Sequence, residues 1–206
     1  YSWAAATPLS NFEANMDYRD VEDPSIFFTL KARSDHNKIK KDDEFLVWTT
    51  TPWCIPGNLA IAIGNNIKYS KVLLNKKHYW IATQRLDELK EHDYKIIDES
   101  IGSELVGGEY IPAYDEYEKE YLNGAFRIIH SNDTNTESGS GLVSQAPAYG
   151  ESDFYALKNA GIEVIVDPVT LSGKFDSTIK GLENKFVKDA DTKIMEQLDE
   201  RNLLFS

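Results

Sequence analysis

The sequence predicts a strand-rich α+β domain: a barrel-like sheet, closed or nearly closed, with a few peripheral helices. Two observations carry this. From Ser25 onward the apolar residues come in short runs, rich in β-branched and aromatic side chains and separated by turn residues. Helical spacing, by contrast, is confined to a few stretches.

The expected strands are Ser25–Arg33, Glu44–Thr50, Asn58–Gly64, Tyr69–Leu74, His78–Thr83, Ala125–His130, Gly141–Ala146 and Glu163–Val166. Thr83 is expected to cap a short helix carrying Leu86 and Leu89, because its hydroxyl can accept from the exposed first-turn amides. A second helix is expected over Gly150–Gly161, which opens with acidic residues and closes on glycine. Ala190, Ile194 and Leu198 are spaced at four, so Asp189–Asn202 should be an amphipathic helix on the surface of the domain. The stretch His130–Gly141 is polar and rich in glycine and serine, and taken alone it reads as a flexible loop. Its Asn132, Asp133 and Thr134 match a glycosylation acceptor pattern that no secretory signal supports.

A chain of 206 residues suits one domain. At that size roughly 70% of the unfolded surface is buried, so neither a disulfide nor a metal is needed to hold a core. The single cysteine, Cys54, allows no intrachain bridge and fits a reducing compartment. The formal charge of −12, from 34 acidic and 22 basic residues, argues against a free-standing nucleic-acid binder. If RNA is handled, something else holds most of it. Lysines bunch at Lys38–Lys41 and Asn75–His78, where a solvated loop or hairpin tip explains them as well as a phosphate contact does. The opening YSWAAATPLSNFE has no basic start, and no stretch approaches the roughly 18 to 20 apolar residues of a membrane span. Beginning at Tyr1, the sequence reads as part of a longer protein.

Conventional catalytic sets are missing: His36, His78, His92 and His130 lack metal-ligand spacing, and no phosphate loop or nucleophile elbow is present. The stretch VWTTTPWCIPGN, Val47–Asn58, offers another route. In an extended segment Thr49 and Thr51 would face one side and Thr50 the other. Pro52 favours an extended Thr51, and Pro56 with Gly57 forces a turn soon after. Two hydroxyls and the amide of Asn58 around one concave spot could hold a water and a carbonyl oxygen, which suits hydrolysis of an activated ester. On propensity alone, the threonines are also good strand sequence ended by prolines. In SGSGLVSQAPAYGESDF, Ser138–Phe154, Asp153 would stand in the first turn of a helix, whose dipole favours the ionised carboxylate, an anchor for an ammonium group. It would serve equally as an ordinary first-turn acid.

Together, WTTTPWCIPGNLAIAI and GSGLVSQAPAYGESDF resemble the editing domain of isoleucyl-tRNA synthetases, with its WTTTPWT-(L/I)-P-x-N-L-A and G-T-G-x-V-H-x-A-P-x-x-G-x-x-D motifs. Pro52-Trp53 points to the isoleucyl rather than the leucyl or valyl branch. Thr7–Ser25 and Gly181–Leu198 resemble the eukaryotic cytosolic type, so the likeness covers essentially all of residues 1–206 as a single editing domain of a larger synthetase. The resemblance implies hydrolysis of mischarged Val-tRNA(Ile), and leaves open whether valyl-adenylate is also cleared. It implies catalytic roles for Thr49, Thr50, Thr51 and Asn58, and an amine-binding role for Asp153. It further implies a substrate-binding set of Trp48, Ser144, Gln145, Ala146 and Pro147, and a substrate-facing rather than linker role for SGSG. Implied partners are the 3′ end of aminoacylated tRNA(Ile) and the rest of the synthetase; a cytoplasmic monomer with no metal or cofactor of its own is expected. ATP and magnesium would belong to the parent's synthetic site. Two positions depart from the pattern: Cys54 stands where threonine is common, and Ser144 where the family has a histidine that helps refuse isoleucine. Three functions follow: an editing esterase, a 3′-end binding module weakened or made non-selective by Ser144, or a structural insertion that orients tRNA.

Overall fold

The computed structural model describes Ser2, residues 7–14, Met16 and residues 23–206. Part of the Thr7–Ser25 resemblance therefore lies outside the described residues; among the described residues of that stretch, Asn11–Ala14 form a single helical turn, α1.

Eight strands form one sheet: β1 (Ile26–Lys31), β2 (Glu44–Thr49), β3 (Ala60–Ile63), β4 (Lys68–Leu74), β5 (Lys77–Ala82), β6 (Tyr94–Ile101), β7 (Arg127–His130) and β8 (Val143–Gln145). The order is β6-β4-β5-β2-β8-β3-β7, with β1 also on β2. Strand β2 explains the curl. One edge pairs along its length with β1, while the other is divided, Glu44 and Phe45 lying parallel to β5 and Trp48 parallel to Val143 of β8. Two strands diverging from one edge cannot stay coplanar, and the sheet bends into a half-barrel.

Both faces of β2 are covered. Phe45 and Val47 enter the main core, while Leu46 joins a second cluster with Val72, Tyr79 and Ile81. That two-sided burial is why its sequence reads as a continuous apolar run rather than an alternation. At the start of β2 the sheet also buries charge. Asp43, 1% exposed at its side chain, pairs with Lys71 Nζ at 2.6 Å. Its Oδ2 also accepts from Trp80 Nε1 at 3.2 Å and from the Lys40 amide at 2.8 Å. The lysine bunches instead pair at the surface, Lys38 with Asp98 and Lys40 with Asp35, while exposed Lys77 reaches buried Glu44, as the loop reading expects.

Two sequence expectations are corrected and one strand is added. Glu163–Val166 is extended but pairs with no strand: Ile162 and Val166 are buried while Ile165 is 51% exposed, so it packs by side chains alone. Thr83 does not cap a helix. It opens a 3₁₀ run, Thr83–Leu89, kinked at Arg85, and its hydroxyl lies 2.9 Å from that of Ser70. Leu86 and Leu89 are three apart, the repeat of a 3₁₀ turn, and both meet the second cluster. Strand β6 was missed because most of its residues are exposed or half-exposed, which blurs the apolar signal.

The remaining helices are α2 (Gly102–Leu105), α3 (Glu151–Asn159) and α4 (Val187–Glu200). Ala190, Ile194 and Leu198 of α4 are fully buried, as their spacing predicts. Beyond α4 the chain returns to β1: the Phe27 amide donates to the Ser206 carbonyl at 2.8 Å, and Phe205 N–H donates to Phe27 O at 2.8 Å.

Candidate functional site

The threonine run sits where β2 ends. Thr49 is its last residue, Thr51 has φ −139° and ψ 73°, and a 3₁₀ run over Pro52–Gly57 follows. Pro52 opens that run, where no amide donor is needed. Because the strand stops at Thr49, the expected alternation stops too. The Thr51 amide donates to Thr49 Oγ1 at 3.1 Å, and the hydroxyls of Thr50 and Thr51 are 3.5 Å apart instead of facing opposite ways. Thr49 is buried, Thr51 half-buried and Thr50 exposed.

The turn is clamped from behind by α4. Asp191, 5% exposed, accepts from the Trp53 amide at 2.8 Å, and burial pushes its carboxyl above the ordinary value against the opposing effect of that bond. Trp53 stacks edge-on against Tyr149, with ring centroids 4.8 Å apart. A Cβ at Gly57 would come within 3.0 Å of the same tyrosine ring. Cys54 is pushed up to about 12 by burial first, then by the carboxylates of Asp153 and Asp191, and stays a thiol.

Asn58 is buried and spends its side chain internally. Its Nδ2 donates to Ala60 O at 2.8 Å and to Ser144 Oγ at 2.9 Å, and its Oδ1 accepts from the Tyr110 hydroxyl at 2.6 Å. The expectation that this amide grips a water is thus replaced by a tie between β3, β8 and Tyr110.

Asp153 lies in the first turn of α3, as predicted, but its environment differs. Oδ2 accepts from the Ala146 amide at 2.8 Å, and Oδ1 from Ser152 Oγ at 3.2 Å. Desolvation dominates and raises its carboxyl above the ordinary value of 3.8, although those hydrogen bonds pull the other way. The helix dipole alone suggested the reverse. Gly150 permits the close fit, since a Cβ there would stand 2.9 Å from Asp153 Cγ.

Asp153 lines a pocket of about 200 Å³ with Gln145, Val143, Ser131, Asp133, Thr134 and Ser152. A larger one, about 410 Å³, adjoins it and shares Ser131, Asp133 and Ser152. The threonines, Asn58 and Ser144 do not line either pocket, and Pro147 lines a separate apolar one of about 210 Å³ with Phe154 and Leu157. Ala146 contributes its amide to Asp153 rather than its side chain. The threonine turn and the Asn58–Ser144 pair lie outside these two pockets, yet Cys54 of the turn is near enough to Asp153 for that carboxylate to raise its thiol.

Trp48, half-buried, is covered by the backbone of Gly139, where a Cβ would fall 2.5 Å from the indole and φ is +66°. Ser140 is fully buried, and its carbonyl accepts from the Ala82 amide at 2.9 Å. The SGSG stretch is thus packed against the sheet and is not a flexible linker. A Gly139→Ala substitution is expected to destabilise the domain by roughly 1–3 kcal/mol through overpacking and a disfavoured φ. Thermal unfolding followed by tryptophan fluorescence would test this; an unshifted midpoint would show that Trp48 yields freely.

Tyr110, Asp191 and Ser131 carry no motif, and Asp133 and Thr134 stand out in the sequence only through the glycosylation pattern. Of the first three, Asp191 alone left a trace, as an acid directly beside the Ala190 stripe of α4.

No profile of a known protein family matches the chain. Individual relatives do. It is 39% identical over 205 residues to an isoleucine–tRNA ligase of Protochlamydia amoebophila, covering 98% of this chain and 19% of that protein. It is 40% identical over 212 residues to the Bdellovibrio bacteriovorus enzyme of the same name, covering all of this chain and 19% of the relative. The cytoplasmic isoleucine–tRNA ligase of Mus musculus is 36% identical over 214 residues, with 100% and 17% covered. The chain thus spans about a fifth of the length of the curated relatives it matches. Among solved structures, GlLeuRS-CP1 superposes with TM-score 0.68 at 11% identity, covering 89% of this chain and 98% of that one. The cytosolic leucyl-tRNA synthetase editing domain of P. knowlesi gives 0.66 at 9%, covering 89% and 96%. Sequence and fold together put the chain in the isoleucine–tRNA ligase family, as the segment that takes the synthetase editing-domain fold.

Proposed function

We propose that this domain hydrolyses the ester of mischarged Val-tRNA(Ile). A water oxygen bonds to the ester carbonyl carbon, the bond from that carbon to the ribose oxygen breaks, and the ribose leaves with the proton, giving free valine and intact tRNA. The observation that carries the reading is Asp153, a half-buried carboxylate lining a small pocket edged by hydroxyls. It is suited to hold the α-ammonium of an aminoacyl ester while the neighbouring backbone fixes its orientation. The hydroxyls of Thr50 and Thr51, 3.5 Å apart beside the turn, are the candidates to hold the water. Double-sieve editing, for which isoleucyl-tRNA synthetases are the standard example, gives the reason for such a site: valine lacks only one methylene of isoleucine, so a synthetic pocket rejects it poorly.

The partners in this reading are the 3′-terminal adenosine of tRNA(Ile) and the rest of a cytoplasmic synthetase acting as a monomer. The charge of −12 fits, because phosphates would be neutralised elsewhere and this domain would meet only the terminal nucleotide. A second reading is favoured by Ser144, which is smaller than the family histidine: a 3′-end binding module with poor selectivity.

Titration with non-hydrolysable valyl and isoleucyl analogues of the 3′-terminal adenosine separates the two. Preference for the valyl compound supports the sieve; equal binding supports the module. A Ser144→His variant is expected to sharpen the preference for valyl over isoleucyl esters by about threefold or more, roughly 0.65 kcal/mol. Unchanged selectivity would remove Ser144 from the sieve.

A further inference from the structure

Tyr110 has no place in the motifs of the sequence, yet it is fully buried with its hydroxyl 2.6 Å from Asn58 Oδ1. The direction of the hydrogen bonds around Asn58 is fixed by chemistry. Its Nδ2 faces the carbonyl oxygens of Ala60, at 2.8 Å, and Gln145, at 3.4 Å. Carbonyl oxygens only accept, so the nitrogen belongs on that side and the amide oxygen faces Tyr110. The phenol is therefore the donor, and burial, which raises its pKa well above the ordinary tyrosine value, keeps it protonated.

The same logic extends outward. One Nδ2 hydrogen goes to Ala60 O and the other to Ser144 Oγ at 2.9 Å. An amide nitrogen cannot accept, so the serine oxygen accepts and its own hydrogen points elsewhere. Ser144 is half-exposed and, among the described residues, donates to no protein acceptor. It is an oriented donor with an open side.

That open donor sits at the end of β8. Two residues further along, the Ala146 amide is held by Asp153. An extended chain rises about 3.3 Å per residue, so the two points are separated by about 7 Å. An amino ester places its ester oxygens about 3 Å from its ammonium nitrogen, and a hydrogen bond of about 2.9 Å at each end lets it bridge two groups roughly that far apart. Because β8 stops at Gln145, both points lie around the strand's end and not across its middle.

We infer that Tyr110 is a positioning residue for the editing site: through Asn58 it commits the Ser144 hydroxyl to donate to an oxygen of the bound aminoacyl ester. The inference rests on the deacylase reading above. It assigns Asn58 to orientation rather than to holding water, and gives Ser144 a task of its own.

The test is deacylation of Val-tRNA(Ile) by the full-length synthetase carrying this segment, as parent, Ser144→Ala, Tyr110→Phe and the double variant. Ser144→Ala should lower kcat by about ten- to hundredfold with KM nearly unchanged, as expected for a bond made mainly in the transition state. Tyr110→Phe should lower kcat by about three- to tenfold alone, and by nothing further in the presence of Ser144→Ala. A Ser144→Thr variant, which keeps a donor, should retain most of the rate, and thermal unfolding would verify that each variant is folded. A Tyr110→Phe loss of equal size on both backgrounds would mark a structural role and overturn the inference, as would an unaffected Ser144→Ala enzyme. An active parent with such variants loses only this inference; a parent that hydrolyses no aminoacyl-tRNA loses the deacylase reading as well.

Discussion

Replacing Lys71 with alanine should cost the domain roughly 3–5 kcal/mol, the range for stripping one partner from a buried ion pair. Lys71 and Asp43 are 7% and 1% exposed at their side chains, and their 2.6 Å contact lies inside the sheet. Without the ammonium, Asp43 keeps the Trp80 indole N–H and the Lys40 amide, with His78 Nδ1 at 3.5 Å from its other oxygen. The neutral indole and amide donors do not replace a full charge in a desolvated place. Urea unfolding of the single variant is one half of the test. The other is Lys71→Met combined with Asp43→Asn, which removes both charges and should recover most of the loss, because apolar or neutral replacements of a buried pair are often close to neutral in stability. If Lys71→Ala loses less than about 1 kcal/mol, water reaches the pair and the sheet is less tightly sealed there than its burial implies.

Asp153→Ala should weaken binding of valyl-adenosine analogues by about ten- to hundredfold, corresponding to one charge-assisted hydrogen bond of about 1.5–3 kcal/mol. Alanine also deprives the Ala146 amide of its acceptor, so Asp153→Asn is the cleaner variant: it keeps an oxygen for that amide and loses only the charge. Both variants should bind weakly, and retained affinity in the asparagine variant would remove the charge from the account. The pH dependence carries a sign. Desolvation raises the folded-state carboxyl above the ordinary 3.8, so ionising it opposes folding. That unfavourable contribution is absent below 3.8 and builds as pH rises through the shifted value. The ligand's ammonium reverses the preference, so affinity should rise with pH through the same window, starting above the range of an ordinary aspartate, and the asparagine variant should lose this dependence. Equilibrium titration at a series of pH values, with the two proteins side by side, would show it.

Much of the sheet was legible because its strands obey local rules. Glu44–Thr50 and Tyr69–Leu74 are short runs carrying β-branched and aromatic residues, and they match β2 and β4 to within a residue at each end. The α4 stripe was equally plain. What escaped depends on neighbours the sequence does not name. Tyr94–Ile101 pairs with β4 on one edge and leaves most side chains in solvent, so its apolar signal is diluted. Glu163–Val166 has the composition of a strand and no edge to join. The site shows the same division. Resemblance pointed to Asp153 and the threonines, but the dipole argument gave the wrong direction for the carboxyl, because it ignored the desolvation that dominates there. The phenol of Tyr110 stands 52 residues from Asn58, and the carboxylate of Asp191 stands 138 from Trp53. No local pattern announces bonds of that span.

The return of Phe205 and Ser206 to Phe27 has a mechanical meaning. Phe27 and Phe205 lie far apart in sequence and side by side in space. Such contacts close most of the described chain into a loop of nearly zero span, and packing between the two ends offsets the entropy of that closure. Losing Phe205 and Ser206 would leave the Phe27 amide and carbonyl without these partners and reopen an edge of β1.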